Sequence, residues 1–128
     1  MRRCIACVLV FAFAIPALAQ ADFPYDRDMV LDARPLRGSK RVPVLAVSPD
    51  GRAQFDLWCK RGQGQAAIAG DSITIIMGAM NDESCTPERA QADRDMIAAL
   101  SGVMNWSRRG DVVTLTGAQP LRFRLAAN

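Results

Sequence analysis

From Arg52 to Lys60, apolar and polar residues alternate without a break. Ala53, Phe55, Leu57 and Cys59 fall on one face, and Arg52, Gln54, Asp56, Trp58 and Lys60 on the other. A period of two belongs to a strand with one buried face, so the spacing predicts a strand over 52–60 with Cys59 turned inward. Residues 42–47 (Val-Pro-Val-Leu-Ala-Val) predict a partner strand ahead of it. Between the two lies Ser48-Pro49-Asp50-Gly51, a turn in which proline presets φ and glycine accepts a positive φ. Arg61 to Gln65, rich in glycine and glutamine, reads as a flexible connection. Strands over 66–69 and 73–77 follow, separated by Gly70-Asp71-Ser72, the second of them β-branched and largely apolar. Towards the C-terminus, 112–116 and 121–125 flank the turn Gly117-Ala-Gln-Pro120, and 104–108 is expected to pair with 112–116 across Arg109-Gly110-Asp111. A first strand is expected within 29–36, weakened at its end by Pro35.

One segment breaks this pattern. Thr86 suits an N-cap, Pro87 the first helical position and Glu88 the first turn, after which Ala92, Met96, Leu100 and Val103 recur at helical spacing with Ile97 beside them. The prediction is one amphipathic helix over about 87–101, ending near Gly102. The chain is therefore mainly β with a single helix, an α+β domain of short strands.

The N-terminus follows different rules. Arg2 and Arg3 precede an apolar run from Ile5 to Ile15, and Ala17-Leu18-Ala19 supplies a small-residue cleavage site, the three parts of a secretory signal peptide. The run is shorter than the roughly 20 residues of a membrane span, so residues 1–19 are expected to be removed, leaving no stable membrane anchor. Loss of these 19 residues shortens the 128-residue chain to 109, and loss of Arg2 and Arg3 lowers its net charge from +3 to +1. A nearly neutral chain offers no support for nucleic-acid binding, whose affinity comes mainly from concentrated Lys and Arg. What remains suits one domain with one core: an N-terminal extension over 20–27, then the folded region.

Export changes the meaning of the cysteines. Cys4 and Cys7 leave with the signal, and Cys59 and Cys85 pass into an oxidising compartment where disulfides persist. Pairing between them is the expected state, with free thiols or intermolecular pairing as the alternatives. A bridge spanning 26 residues restricts the unfolded chain by roughly 3.5 kcal/mol in the chain-entropy model. Cys85 just ahead of a helix N-terminus could have a lowered thiol pKa. The chain has no histidine, however, which removes Cys–His and Ser–His–Asp catalysis and leaves too few soft ligands for a structural zinc site.

Other candidates fare no better. Glu83 and Glu88 are the only glutamates, and their placement as turn and helix-start residues accounts for them without glycosidase chemistry. Gly62-Gln-Gly64 lacks the Gly-Lys-Ser/Thr ending of a phosphate loop. Arg109-Gly110-Asp111 is explained as a turn, and Arg34, Arg37, Lys40 and Arg41 as a solvated basic loop. Trp106 is expected in the core. Trp58, on the polar face beside Lys60 and Arg61, either covers a second small cluster or marks a contact surface, where tryptophan is enriched.

The order of these pieces resembles the META domain of HslJ-like exported bacterial proteins. The resemblance rests on the turn ending in Asp50-Gly51, the segment Phe55-Asp-Leu-Trp-Cys59, the glycine-rich stretch and the apolar strand over 73–77. It continues through Cys85, Pro87-Glu88, the segment Gly110-Asp-Val-Val-Thr-Leu-Thr-Gly117 and Leu121-Arg-Phe, covering roughly residues 28–126. Trp58-Cys59-Lys60 stands where the family usually has Gly-Cys-Asn, and Asn81 where it has threonine. The resemblance implies a small, antiparallel, partly closed β-barrel-like sheet with one helix packed on it, no catalytic residues and no cofactor. It also implies a loose link to the cell envelope and to stress. The expectation is a periplasmic or secreted, monomeric, non-catalytic module that binds an envelope protein through Trp58, Lys60 and Arg61. The alternative is a small-ligand carrier using the barrel interior, and a hydrolytic enzyme is the least favoured.

Overall fold

A computed structural model describes residues 10–13 and 22–127. The signal-peptide segment 1–19 falls, apart from 10–13, outside the described residues. Among those residues eight strands and one helix follow in the order β1 (Met29–Leu31), β2 (Val44–Val47), β3 (Arg52–Asp56), β4 (Arg61–Ala69), β5 (Ser72–Met80), α1 (Pro87–Ser101), β6 (Asn105–Arg109), β7 (Val112–Thr116) and β8 (Leu121–Leu125). Each strand pairs antiparallel with the next, and β1 also pairs with β8 through Met29↔Leu125, Val30↔Arg124 and Leu31↔Phe123. The sheet is thus a closed barrel, which removes the exposed edges that an open sheet would carry.

The period-two pattern places the core. Leu45 and Val47 of β2, Ala53 and Phe55 of β3, Ile73 and Ile75 of β5, Val113 and Leu115 of β7 and Phe123 of β8 all point inward and are buried. Met96 and Leu100 of α1 enter the same cluster, as do Phe23 from the segment ahead of β1 and Trp106 of β6. Trp106 lies edge-on to Phe23, with ring centroids 5.2 Å apart, and its indole N–H donates to the Gly70 carbonyl at 2.8 Å. A buried tryptophan with its N–H satisfied is the core role expected of it.

The helix stands as predicted, with Thr86 as N-cap accepting from the Arg89 amide at 3.4 Å and Gly102 as C-cap. It bridges the one place where the barrel barely closes. Strands β5 and β6 share a single paired position, Ser72↔Asn105, flanked by main-chain bonds from Ile73 to the Met104 carbonyl and from Trp106 to the Asp71 carbonyl, both 2.9 Å.

Two expectations are corrected. Residues 61–65 are not a loop: Gly62 and Gly64 lie in β4, opposite Met80 and Met77 of β5, with a bulge between. A Cβ on Gly64 would sit 2.3 Å from the Ile76 carbonyl oxygen and 3.0 Å from the Phe55 ring, so glycine here serves close approach of backbones rather than flexibility. The strand predicted over 52–60 ends at Asp56. A tight turn closes it, the Leu57 amide donating to the Lys60 carbonyl at 2.8 Å, and the alternation persists because the turn still directs Leu57 and Cys59 inward. Smaller trims shorten the first strand from 29–36 to 29–31 and begin β2 at Val44, after the buried Pro43. The hairpin turn Ser48–Gly51 forms as expected, the Gly51 amide bonding the Ser48 carbonyl at 2.9 Å with Gly51 at φ +89°.

Candidate functional site

Antiparallel order puts alternate connections at the same end of the barrel. The connections 32–43, 57–60, 81–86 and 117–120 share one end, and 48–51, 70–71 and 110–111 the other. The first end holds Trp58, Cys59, Lys60, Arg61, Glu83, Cys85 and the basic residues of 34–41, whereas the Arg109-Gly110-Asp111 turn lies at the other.

Its centre is a disulfide. Cys59, in the β3–β4 turn, and Cys85, one residue before the helix cap, are joined with S–S 2.07 Å and Cα–Cα 6.0 Å, so the expected pairing is present. Cys59 is buried and Cys85 half-buried. Beside them is a group the sequence reading overlooked. Asp93, on the inward face of α1, is only 2% exposed, and its two carboxylate oxygens accept the amides of Cys59 at 3.2 Å and Lys60 at 2.9 Å. A buried carboxylate is costly unless hydrogen-bonded. Here it satisfies two main-chain donors that a tight turn leaves without partners. A signal was present: Asp93 precedes Met96 by three and Leu100 by seven, so it lies on the apolar stripe of the helix.

Around this pair the connections are laced together. The Arg61 amide donates to the Asn81 side chain at 2.9 Å, and the Asn81 amide returns a bond to the Arg61 carbonyl at 2.8 Å. Arg61 also pairs with Asp56 at 3.4 Å, both well exposed, a contact worth little by itself. Arg41 reaches the Lys60 carbonyl at 3.4 Å and Arg89 the Gly38 carbonyl at 3.1 Å, tying the 32–43 connection to the turn and to the helix. Arg41 is therefore half-buried and bonded, a correction to the wholly solvated basic loop. Arg34, Arg37 and Lys40 are exposed as expected.

The candidate contact residues lie on this frame. Trp58 is half-buried and packs against the rim of the core, Lys60 is half-buried, and Arg61 is exposed. Glu83 and Glu88 are both exposed, Glu83 accepting from the Asn81 side-chain Nδ2 at 3.3 Å. The ligand atoms of Cys59, Cys85 and Asp93 lie within 4.8 Å of one another. Joined sulfurs are not thiolate ligands, and both Asp93 oxygens are engaged, so in this state the cluster is a clamp on the turn.

The family model described as "META domain" matches residues 25–128. The chain belongs to the META domain family. The resemblance read over residues 28–126 is borne out, as are the barrel and the helix packed on it. A DUF4847 family protein from Bacteroides vulgatus ATCC 8482 has a similar fold, with a TM-score of 0.53 and 14% identity. That likeness covers 64% of this META chain and 57% of the other, so the chain spans little more than half of its structural neighbour's length. No curated protein matches the chain. Among the described residues of the META domain, no helix is long and apolar enough to cross a membrane.

Proposed function

We propose that this META domain protein is exported, that residues 1–19 are a signal peptide removed after Ala19, and that the mature monomer is a non-catalytic accessory of the cell envelope that binds a partner protein. The contact surface is Trp58, Lys60 and Arg61. One observation carries this reading: the turn presenting those residues is held by a disulfide and by a buried carboxylate on its own amides. A contact surface fixed before binding loses less conformational freedom on association.

The alternative, a carrier enclosing a small ligand, has less support, because Phe55, Phe123, Met29, Leu45, Leu57 and Leu115 occupy the interior with their own fully buried side chains. A barrel of about eight strands is just wide enough for such side chains to fill.

The test is capture of envelope proteins by the tagged, oxidised mature chain, compared with Trp58→Ala and with a Lys60→Glu, Arg61→Glu pair. A specific protein lost from both variants supports the reading; capture unchanged in both sinks it. N-terminal sequencing of the protein recovered from the periplasm should begin at Gln20.

A further inference from the structure

Positive charge is concentrated on the outer wall formed by β6, β7 and β8. The register sets Arg109, Val112 and Arg124 in one row across the three strands and Ser107, Thr114 and Arg122 in the next. With neighbouring strands about 4.8 Å apart, the row from Arg109 to Arg124 spans about 10 Å. A surface cleft of about 450 Å³ is lined by Ser107, Arg109, Val112, Thr114 and Arg122.

Among the described residues, one carboxylate answers these guanidiniums. Asp32 lies 3.7 Å from Arg122 Nε and 3.6 Å from Arg124 Nε, long for charge-assisted hydrogen bonds. The Arg109 side chain is exposed and has no ion pair or hydrogen-bond partner among the described residues. General basicity does not explain the wall, since the chain carries 16 basic and 13 acidic residues. The neighbouring β4–β5 hairpin makes the contrast: from Gly62 to Met80 its one charged residue is Asp71.

We propose that this wall is a binding site for a short oligosaccharide carrying two or more sulfate or phosphate esters. A guanidinium offers a tetrahedral oxyanion two parallel N–H donors, and the Ser107 and Thr114 hydroxyls can donate to and accept from sugar hydroxyls. An acidic peptide fits less well: both edges of β7 are already paired, so no free strand edge takes up an extended chain, and the two rows hold no aromatic anchor. Three arginines over about 10 Å also fall short of the 6–10 phosphate contacts typical of DNA binding. The site is separate from the proposed Trp58 surface, and either can fail without the other.

The experiment is calorimetric titration of the folded, oxidised chain at low ionic strength with a heparin-derived tetrasaccharide, and with maltotetraose as the neutral counterpart. The sulfated probe is expected to bind and to be displaced by inorganic phosphate, while maltotetraose does not bind. Arg109→Ala, which disturbs no ion pair, should weaken binding about tenfold, and the triple variant R109A/R122A/R124A about 100-fold or more. Arg34→Ala with Arg37→Ala, in the exposed 32–43 connection, should leave it unchanged. The proposal is overturned by absence of binding to the sulfated probe, equal binding of maltotetraose, undiminished binding by Arg109→Ala, or loss confined to the Arg34, Arg37 variant.

Discussion

The two ends of α1 are fastened to the barrel by different physics. The N-terminal half is held by directed bonds: the Cys59–Cys85 bridge, the Asp93 carboxylate on the amides of Cys59 and Lys60, and the Arg89 contact to the Gly38 carbonyl. The C-terminal half is held by apolar burial of Met96 and Leu100, continued by Val103 after the cap. The difference follows what each end meets. Ahead of the helix is a tight turn whose amides need acceptors; behind it is the gap where β5 and β6 pair only once, which needs volume filled rather than polar groups satisfied.

That contrast can be broken at the polar end first. Asp93→Ala should remove about 4 kcal/mol of stability, because two donors in the turn lose their acceptor together. Asp93→Asn, which keeps one carbonyl oxygen, should cost distinctly less. Urea denaturation reads both, and equal losses would show that the carboxylate does not serve two amides at once.

Replacing both cysteines by serine should cost about 3.5 kcal/mol. Since the bridge and Asp93 hold the same turn, their combined loss is expected to depart from additivity by more than about 0.5 kcal/mol, the spread usual for independent sites. A double-mutant cycle measures this directly.

At the apolar end, Leu100→Ala should cost about 3 kcal/mol through lost burial and a residual cavity. Leu100 is seven residues beyond Asp93, about 10 Å along the helix axis, so its effect should add to that of disulfide removal. Strong coupling between them would mean that the helix is fastened as one unit and not at two separate ends.

The smallest effect lies far from the helix. The Asp50 carboxyl, in the β2–β3 turn, is held below the ordinary carboxylate range chiefly by the Arg52 amide, which donates to it at 3.1 Å. A group whose pKa is lowered by folding adds stability above its unfolded value near 3.9 and loses it as pH falls through the folded value. Protection of the Arg52 amide, its exchange rate measured against the intrinsic rate at each pH, should therefore fall on acidification below about pH 4, and Asp50→Asn should flatten that response. A response of unchanged steepness in the variant would assign it to another group.

Much of this was legible in the chain itself. Alternation over 112–116 and 121–125 located β7 and β8 at their observed limits, and the cap, proline and periodicity after Thr86 located α1 at 87–101. These are local signals, and local signals are what period and capping chemistry report. The bridge between Cys59 and Cys85 was also readable, from the expected export and from the count of cysteines it leaves.

Other features were not. Gly62 and Gly64 look like loop residues until β5 and Phe55 are seen pressing against them, and Asp93 looks like another surface acid on a helix rich in charge. No short window separates a glycine that bends from one that lets two strands touch, and the helical stripe that marks Asp93 as inward does not show that it closes a turn 33 residues away. Closure of the barrel through β1 and β8 likewise joins segments nearly the whole chain apart. The sequence by itself determined which strand residues face inward and where the helix lies, because those follow from backbone period and capping. Tertiary structure alone decided the closure, the Asp93 clamp and the gathering of Arg109, Arg122 and Arg124 on one wall, because each depends on which distant strands come to lie side by side.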